Sequence, residues 1–259
     1  MSRVPAWLLQ TPIAHRGLHD ERAGLVENSL PAFWAASRAG FPAELDVRLL
    51  ADGEVVVFHD RELDRLTGES GPIASRTSGE VHGILLAGAT ADDDPRLDDA
   101  RIPLLRDVLD LLAGSTPLLI EVKNEGDVGP LEEAVLELLT GYRGPYAVQS
   151  FHPGTVRFWR ERAPRVPRGL LSGDFHDERL DDDERRRLRC LETVGECEPD
   201  FIGYDVRLLP FAPVARERAA GRPVIGWTVR SREEALRALA HCDNVIFEGF
   251  DPRGLRGSS

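Results

Sequence analysis

Short apolar runs alternate with helix-like stretches along the whole of this 259-residue chain, and this alternation is the strongest constraint on its fold. Runs with the length and composition of strands lie at residues 11–15, 43–50, 54–60, 117–123, 146–151, 168–173, 200–206, 223–229 and 244–249. Helices are predicted at residues 28–39, 103–113, 130–140, 153–162, 177–191, 210–220 and 231–240. Because parallel strands need a long crossover between them, this order predicts a parallel sheet covered by helices.

Eight strands joined in this way, in a chain of this length, favour a closed (β/α)8 barrel, the TIM barrel, over an open sheet. The run at 54–60 is the exception. Only Ala51-Asp52-Gly53 separates it from the strand before, which is too short for a parallel crossover and predicts an antiparallel hairpin. We therefore expect one domain over residues 1–259, with its barrel core at 11–250 and a hairpin excursion at 50–100 after barrel strand two.

The hairpin turn also predicts a register. With Asp52-Gly53 as a two-residue turn, Leu50 faces Val55 and Asp46 faces His59 across the ladder. Glu44 shares a strand face with Asp46, because side chains alternate between the two faces of a strand. The expectation is that two carboxylates and a histidine meet on one face of the hairpin.

Composition restricts the classes of partner. The formal net charge of −12 argues against a nucleic-acid or anionic-membrane surface, either of which would need a basic patch, but it does not exclude a phosphate substrate. The three cysteines include no C-x-x-C pair and predict free thiols in a reducing compartment. The first residues fit neither a signal peptide nor a membrane span. We expect a cytoplasmic protein with a small-molecule substrate, no nucleic-acid partner and no stable membrane insertion; the sequence does not indicate an oligomeric state.

Three polar stretches are predicted to be solvated rather than chemical. Residues 89–100 read as an acidic loop and residues 176–189 as a charged helix or loop, while the tail at 251–259 is expected to fray.

Polar side chains stand at several points where a buried strand should be apolar, and in a barrel the carboxyl ends of the strands meet at one rim. These side chains are His15, Arg16, Glu44, Asp46, His59, Glu121 and Lys123. The sequence therefore predicts that two histidines, three carboxylates, an arginine and a lysine come together.

Three crowded carboxylates repel one another and take up protons unless a cation lies among them. Oxygen ligands suit a hard divalent cation, Mg²⁺ or Ca²⁺, whereas a zinc site would more often recruit the histidines. The histidines are then available as general acid and base, because their pKa lies near neutrality. Arg16 offers a planar fork and Lys123 a compact point charge. This set of groups suits cleavage of a phosphodiester.

Lys123 of this set, and Trp227 outside it, each have a structural interpretation as well as a functional one. Lys123 is the only lysine among 32 lysines and arginines, yet with Glu121 it could form no more than an ion pair within one strand. Trp227, at the end of a later strand, could be a core aromatic or a wall for a small substrate. Both alternatives stay open from the residues alone.

The motifs, taken in order, resemble the glycerophosphodiester phosphodiesterase family over nearly the whole chain. They are AHRG, ENSLPAFWAASRAG, ELDVRLLADGEVVVFHDRELDR, RIPLLRDVLDLL, IEVK, VQSFHP, PDFIGYDVRLL and GWTV. The resemblance implies a TIM barrel that cleaves glycerophosphodiesters to glycerol 3-phosphate and an alcohol such as choline or ethanolamine.

The resemblance also implies a role for each site residue. His15 and His59 would be the general acid and base. The ligands of a divalent metal ion would be Glu44, Asp46 and Glu121. Arg16 and Lys123 would contact the phosphate, and Trp227 would form a wall near the glycerol end. Glu27 and Asn28, which remain from the family's Pro-Glu-Asn-Thr motif, become supporting residues.

Departures from the family lie where the substrate mouth is expected. Arg230 follows the GWTV motif where an asparagine is common, and Glu248 stands near a position that often carries an aspartate. Together with the short 61–100 segment, they leave the leaving alcohol open. The choice between direct hydrolysis and a cyclic phosphate intermediate is open as well.

Three alternatives to this function are weighed. A phospholipase-D-like enzyme on the same barrel, acting on lysolipid or sphingolipid head groups, would need an apolar or basic surface, which the acidic charge disfavours. A catalytically silent phosphoester-binding protein is disfavoured by the presence of both His15 and His59. A metal-dependent lyase acting on a non-phosphate substrate is less expected, because Arg16 beside His15 favours an anionic substrate.

Overall fold

The computed structural model describes residues 4–89, 101–124, 126–175 and 180–255. Its strands are β1 (Ile13–Ala14), β2 (Ala43–Leu49), β3 (Val55–Val57), β4 (Leu118–Val122), β5 (Tyr146–Ser150), β6 (Arg168–Ser172), β7 (Phe201–Asp205), β8 (Val224–Val229) and β9 (Asn244–Phe247). Its helices are α1 (Ala6–Gln10), α2 (Leu30–Ala39), α3 (Ser78–His82), α4 (Leu105–Leu112), α5 (Pro130–Thr140), α6 (Pro153–Arg162), α7 (Asp182–Arg189), α8 (Val194–Cys197), α9 (Ala212–Ala219) and α10 (Arg232–Leu239). Every predicted strand and helix is present, whereas the short helices α1, α3 and α8 are not predicted by the sequence pattern.

The chain forms two compact units. The first unit is Ala14–Tyr146, in which β2 pairs in parallel with both β1 and β4 and in antiparallel with β3. The second unit is Met1–Ile13 with Ala147–Ser259, in which β5 to β9 form one run of parallel ladders. Whether the chain is a single domain stays a prediction.

The predicted fold class is confirmed. Eight parallel strands alternate with helices, and β3 alone is antiparallel, which is the element order of a (β/α)8 barrel with a hairpin after its second strand. In this article's numbering β4 is barrel strand three. Functional side chains are therefore expected at the carboxyl ends of β1, β2 and β4 in the first unit and of β5 to β8 in the second.

Capping residues explain where the helices begin and end. Ser231 starts α10, since its side chain accepts a hydrogen bond from the Glu234 backbone N–H. Gly40 ends α2 in the left-handed conformation. Helix α2 begins two residues after the predicted residue 28, because Ser29 caps it by accepting a hydrogen bond from the Ala32 N–H. The Asn28 side chain is thereby left free of the helix start and takes part in the site described below.

The predicted hairpin register is wrong by one residue. Val47 pairs with Val57 and Leu49 with Val55, so Asp46 faces Phe58 and not His59. The reason is a three-residue loop: the Leu50 N–H bonds to the Glu54 carbonyl, and Gly53 closes the loop at a φ of 84°. His59 therefore lies beyond the end of β3, where Arg48 holds its backbone oxygen with two donated hydrogen bonds.

Buried side chains of the excursion form a small core of their own. Leu63, Ile73 and Val81 have no solvent exposure, and they pack in one cluster with Val56 and Phe58 of the hairpin. The excursion is thus anchored on apolar contacts, which fixes the chain that follows His59. Residues 90–100 of the predicted loop at 89–100, residues 176–179 of the charged stretch and residues 256–259 of the tail lie outside the described residues.

Gly17 is a site where the fold depends on a missing side chain. Its φ is 78°, and a Cβ there would lie 2.8 Å from the backbone carbon of Ala32 in α2. We expect Gly17→Ala to lower the free energy of unfolding by about 2–4 kcal/mol, from combined backbone strain and overpacking.

Gly53→Ala is the matched control for this prediction. Gly53 has a similar φ of 84°, but nothing lies within 4 Å of the added Cβ, so only strain remains, at a cost of about 1 kcal/mol. Urea unfolding of both variants measures the difference. Equal losses would contradict the account of close packing against α2.

Within the described residues, no helix has the length and apolar character needed to cross a membrane. The cysteines Cys190, Cys197 and Cys242 are free, in line with their predicted state.

Candidate active site

Three buried carboxylates of the first unit form the centre of the site. Glu44, Asp46 and Glu121 are 1%, 1% and 8% exposed, and each offers an oxygen within 4.8 Å of the others. One Mg²⁺ or Ca²⁺ ion reaches oxygens at this separation, because metal–oxygen distances of about 2.1–2.6 Å place ligands of the same ion within about 5 Å of one another. The three residues therefore could hold a divalent cation.

Strand pairing explains why these carboxylates meet. In the parallel ladder between β2 and β4, Asp46 pairs directly with Glu121, and Glu44 precedes Asp46 by two residues on the same face. Acidic side chains from the first half of β2 and from the carboxyl end of β4 therefore lie together, as the sequence predicts for the three carboxylates.

Burial and neighbouring charges shift the pKa values of Glu44 and Asp46 in opposite directions. Burial, followed by the charges of Asp46 and Glu121, raises the pKa of Glu44 well above its usual range. Burial also disfavours the ionised form of Asp46, but Lys123 and His59 outweigh it, and the pKa of Asp46 lies well below its usual range. In addition, Asp46 Oδ1 is buried without an aligned hydrogen-bond donor. The donor set thus fits a hard cation on chemical grounds.

Lys123 is held by the same carboxylates. Its Nζ lies 2.5 Å from Glu121 Oε1 and 3.0 Å from Asp46 Oδ1, although the contact with Asp46 is outside hydrogen-bond geometry. Burial opposes its charge, yet the two carboxylates raise the pKa of Lys123 above its ordinary value. The ion pair considered from sequence is therefore present, and it lies inside the carboxylate cluster rather than on a surface.

Arg16, in the turn after β1, and Asn28, just before α2, both contact the carboxylate cluster. The Arg16 N–H donates to Glu44 Oε2 at 2.9 Å, and Arg16 Nε lies 3.5 Å from Asp46 Oδ2. Asn28 Nδ2 donates to the same Asp46 oxygen at 2.8 Å. Arg16 and Asn28 have left-handed φ values of 53° and 54°, a conformation that non-glycine residues adopt mainly where the surroundings enforce it. The turn is shaped by its contacts with the carboxylates.

The two histidines lie near this cluster. His15 follows β1, whose Ala14 pairs with Ala43, so His15 is at the level of Glu44. Positive charge on His15 or His59 favours the ionised form of Asp46 and so lowers its pKa, which is consistent with both rings lying near the cluster. His59 Nδ1 lies 2.6 Å from Asp60 Oδ1. With a proton on Nδ1, donated to that carboxylate, His59 Nε2 is available for proton transfer.

Two charged residues that the sequence reasoning missed complete the site. Arg65 donates to Asp60 from Nε at 2.6 Å and from Nη2 at 3.0 Å, and to Glu27 from Nη2 at 2.7 Å and from Nη1 at 3.0 Å. Glu27 also accepts from Arg16 Nη1 at 2.6 Å. The available signal was an acid directly after His59 and an arginine five residues on, but the segment has no periodicity that would direct either side chain.

Glu27 gives the first unit a pH-dependent contribution to stability. Burial raises the pKa of Glu27, but the hydrogen bonds and charges of Arg65 and Arg16 outweigh it, so the net pKa is lowered. A lowered folded-state pKa adds stability above the unfolded value, near pH 4.3, that is lost as the pH falls through the folded value. We expect Glu27→Gln to lower the unfolding free energy by about 1–2 kcal/mol at pH 7. The effect is small because Arg65 is half exposed and solvent screens its charge.

Urea unfolding between pH 7 and pH 3 measures this effect. The difference in unfolding free energy between wild type and Glu27→Gln should shrink below about pH 4. The Glu27 carboxylate is then protonated and, like the neutral glutamine, no longer forms ion pairs with Arg65 and Arg16. The exposed Glu137→Gln is the control and should show a small, pH-independent difference. A difference for Glu27→Gln that grows in acid would contradict the sign of the shift.

Trp227 belongs to the second unit, where it joins an aromatic cluster at the ends of three strands. Its ring meets that of Phe151 edge-on with centroids 5.5 Å apart, and Phe151 meets Phe175 at 5.7 Å. A Cβ on Gly173 would lie 3.3 Å from the Trp227 ring, so glycine permits this packing. Trp227 keeps a partly exposed edge, and thus supplies apolar surface at its strand end.

Arg230 and Glu248 also lie in the second unit. Arg230 Nε is 2.7 Å from Glu248 Oε1, and the Arg230 side chain is 61% exposed. The two residues that depart from the family pattern are therefore each other's partners.

Comparison with known proteins agrees with the motifs. The model of the "Glycerophosphoryl diester phosphodiesterase family" matches residues 15–248. The chain is 28% identical to a glycerophosphodiester phosphodiesterase of Bacillus altitudinis over 250 residues, which covers 94% of this chain and 96% of that protein. It is 34% identical to YqiK of Bacillus subtilis over 170 residues, 62% of this chain, and spans 66% of that relative, just under two thirds of its length.

Solved structures show the same fold. A phosphodiesterase of Oleispira antarctica, determined in complex with the product sn-glycerol 3-phosphate, superposes with a TM-score of 0.76. The match covers 93% of each chain at 22% sequence identity. At this identity the likeness supports the barrel fold.

Proposed function

Since this chain belongs to the glycerophosphoryl diester phosphodiesterase family, we propose that it is a metal-dependent phosphoric diester hydrolase. Its substrates are glycerophosphodiesters, and its products are glycerol 3-phosphate and an alcohol. The observation that carries the proposal is the buried cluster of Glu44, Asp46 and Glu121 with histidines at its edge. Such a set of groups combines charge neutralisation with proton transfer, which are the two requirements of phosphodiester cleavage.

Glu44, Asp46 and Glu121 would hold the cation, Mg²⁺ or Ca²⁺. When bound, that ion supplies Lewis-acid neutralisation of a phosphoryl oxygen. Arg16 and Lys123 are assigned to the remaining phosphate charge. Arg16 is the better suited to a planar contact with two oxygens, and Lys123 to a point contact beside the carboxylates.

His15 and His59 are the proposed acid and base. One takes a proton from the attacking hydroxyl, which belongs either to water or to the substrate's glycerol 2-position; in the second case a cyclic phosphate forms first, and water then opens it to give glycerol 3-phosphate. The other gives a proton to the oxygen of the departing alcohol as its bond to phosphorus breaks. The contact of His59 Nδ1 with Asp60 supports a fixed ring with Nε2 as the reacting atom.

The remaining assigned residues support the site. Glu27 and Asn28 fix Arg16 and Asp46 through the contacts described above, at 2.6 Å and 2.8 Å. Trp227 is proposed as an apolar wall for the carbon atoms of the substrate, since it keeps an exposed edge at a strand end. A cytoplasmic location, the lack of a nucleic-acid partner and the preferred metal stay predictions.

Lys123→Arg tests whether the chain's only lysine is chosen for its shape. We expect kcat/KM to fall by about 100-fold although the charge is kept, because the larger planar guanidinium cannot occupy the space between Asp46 and Glu121. Steady-state kinetics with thermal melts measure the effect. Arg106→Lys is the control, at an exposed ion pair with Glu54 that lies outside the site. A wild-type rate in Lys123→Arg would mean that Lys123 forms only an ion pair and has no role that depends on its shape.

A panel of substrates separates the proposed function from its nearest rival. Purified protein with Mg²⁺ or Ca²⁺ is given glycerophosphocholine, glycerophosphoethanolamine, lysophosphatidylcholine and sphingomyelin in turn. Glycerol 3-phosphate is measured enzymatically and the lipid products by mass spectrometry. Release from the first two supports the proposal; turnover of the lipids alone would favour the phospholipase-D-like alternative. No turnover of any of them would favour a silent binding protein.

A further inference from the structure

Arg65 makes an unusual set of contacts for a half-exposed side chain. One edge of its guanidinium binds both oxygens of Asp60, and the other edge binds both oxygens of Glu27, with four donor–acceptor distances of 2.6–3.0 Å. A guanidinium has five N–H donors in a fixed plane, so two bidentate contacts use most of them. The geometry is too specific for a surface ion pair that serves only solubility.

The two carboxylates that Arg65 binds each contact a proposed reacting group. Asp60 accepts from His59 Nδ1 at 2.6 Å, and Glu27 accepts from Arg16 Nη1 at 2.6 Å. An unbroken chain therefore runs from His59 through Asp60, Arg65 and Glu27 to Arg16. His59 follows β3 and Arg16 follows β1, so this chain joins two parts of the first unit that no strand pairing connects directly.

The backbone around Arg65 is itself anchored. Leu63 and Leu66 on either side are 0% and 8% exposed and pack in the core of the excursion. The Leu63 N–H bonds to the Gly71 carbonyl, and Thr67 Oγ1 donates to the Leu63 carbonyl at 2.8 Å. The backbone that carries the guanidinium is thus held in place, as is required of a residue that positions other side chains.

We propose that Arg65 is a positioning residue that holds the acid–base histidine His59 and the phosphate-contacting Arg16 in register with each other. The inference rests on the proposed function for the roles of those two groups. Arg65 touches neither substrate nor metal in this account. It acts through Asp60 on the orientation of the imidazole, and through Glu27 on the direction of the Arg16 fork.

This role predicts a divided kinetic effect. Arg65→Gln should lower kcat through His59 and raise KM through Arg16, with a total loss in kcat/KM of about 100-fold, the usual consequence of misplacing a reacting group by about 1 Å. Arg65→Lys should lose as much, because one ammonium cannot bind two carboxylates edge to edge. A side chain needed only for its charge would be replaced well by lysine.

Double variants identify the route. When Arg65→Gln is added to Asp60→Asn, kcat should fall no further than in Asp60→Asn alone, since both break the same link to His59. When it is added to Glu27→Gln, KM should rise no further for the same reason. Independent losses that multiply in both pairs would overturn the proposal, as would wild-type kinetics in Arg65→Gln.

The control is Arg76→Gln, which alters another arginine of the same excursion. Arg76 Nη2 donates to the Ser70 carbonyl at 3.1 Å and contacts none of the site residues. It should stay within about twofold of the wild-type kcat/KM, as surface substitutions usually do. A loss in Arg76→Gln as large as that in Arg65→Gln, with equal shifts in melting temperature, would mean that the excursion acts through stability alone.

A measurement without substrate separates this proposal from the function on which it rests. The proton between His59 Nδ1 and Asp60 should give a downfield ¹H NMR signal in wild type and in Arg76→Gln, and the signal should be lost in Asp60→Asn and Arg65→Gln. An unchanged signal in Arg65→Gln would overturn the positioning role. If wild type shows the signal but hydrolyses no glycerophosphodiester, the proposed function fails and the positioning of His59 stands.

Discussion

Alanine in place of His15 or His59 should lower kcat by about 10²–10⁴-fold, the usual contribution of a general acid or base. The reason is that each ring lies at the edge of the carboxylate cluster, where its charge acts on Asp46. His152, by contrast, has a structural role, since it caps α6 by accepting a hydrogen bond from the Thr155 N–H. Steady-state hydrolysis of glycerophosphocholine, with circular dichroism as the check on folding, measures the loss.

His82→Ala is the matched control, since His82 is an exposed residue at the end of α3. It should keep the wild-type kcat. A double variant, His15→Ala with His59→Ala, that folds and keeps the wild-type kcat would contradict the acid–base roles of both residues.

The same variants decide which histidine protonates the leaving group. A substrate that releases p-nitrophenol needs little help from an acid, because p-nitrophenolate leaves without a proton. The variant that lacks the general acid should recover most of its rate on this substrate, whereas the variant that lacks the base should not. Equal recovery in both would contradict a division of labour between the two rings.

Loss of a metal ligand is the second large effect that we expect. Glu44→Gln and Glu121→Gln keep the shape of the side chain but remove a charged oxygen, and several kcal/mol of transition-state stabilisation should go with it, a fall in kcat of about 10³-fold or more. Isothermal titration calorimetry should show weaker binding of Mg²⁺ or Ca²⁺ in the same variants. The exposed Glu62→Gln is the control and should match wild type in both measurements.

Metal binding should also release protons. Because the pKa of Glu44 is raised by burial and by its neighbours, this carboxyl carries a proton in the metal-free protein over part of the range in which Asp46 is ionised. A cation must displace that proton, so apparent metal affinity should rise with pH. Calorimetry in two buffers of different ionisation enthalpy counts the protons. No proton release, or affinity that falls as the pH rises, would contradict the description of the cluster.

Strand identities and the meeting of the three carboxylates are readable from sequence for a simple reason. Buried parallel strands must be apolar, so a polar side chain such as Glu44 or Glu121 within one is conspicuous. Alternation along a strand then fixes which residues share a face. Ser231 and Gly40 are predictable in the same way, because caps need particular side chains or a left-handed backbone.

The features that the sequence does not predict depend on the conformation of loops. The hairpin register changes with one residue of loop length, and both two- and three-residue loops accept the Asp52-Gly53 pair. Asn28 and Ser29 are both good helix caps, and only the contact of Asn28 with Asp46 decides between them. Asp60 and Arg65 lie in a segment without regular periodicity, so their meeting is set by the packing of the excursion.

The central claim is that the cluster of Glu44, Asp46 and Glu121 holds a divalent cation that glycerophosphodiester hydrolysis requires. ³¹P NMR of glycerophosphocholine with the purified protein tests it most directly, as Mg²⁺ or Ca²⁺ is added, removed with EDTA and restored. We expect the glycerol 3-phosphate signal to grow, to stop with EDTA and to resume. Growth that continues at the same rate in excess EDTA would contradict the claim.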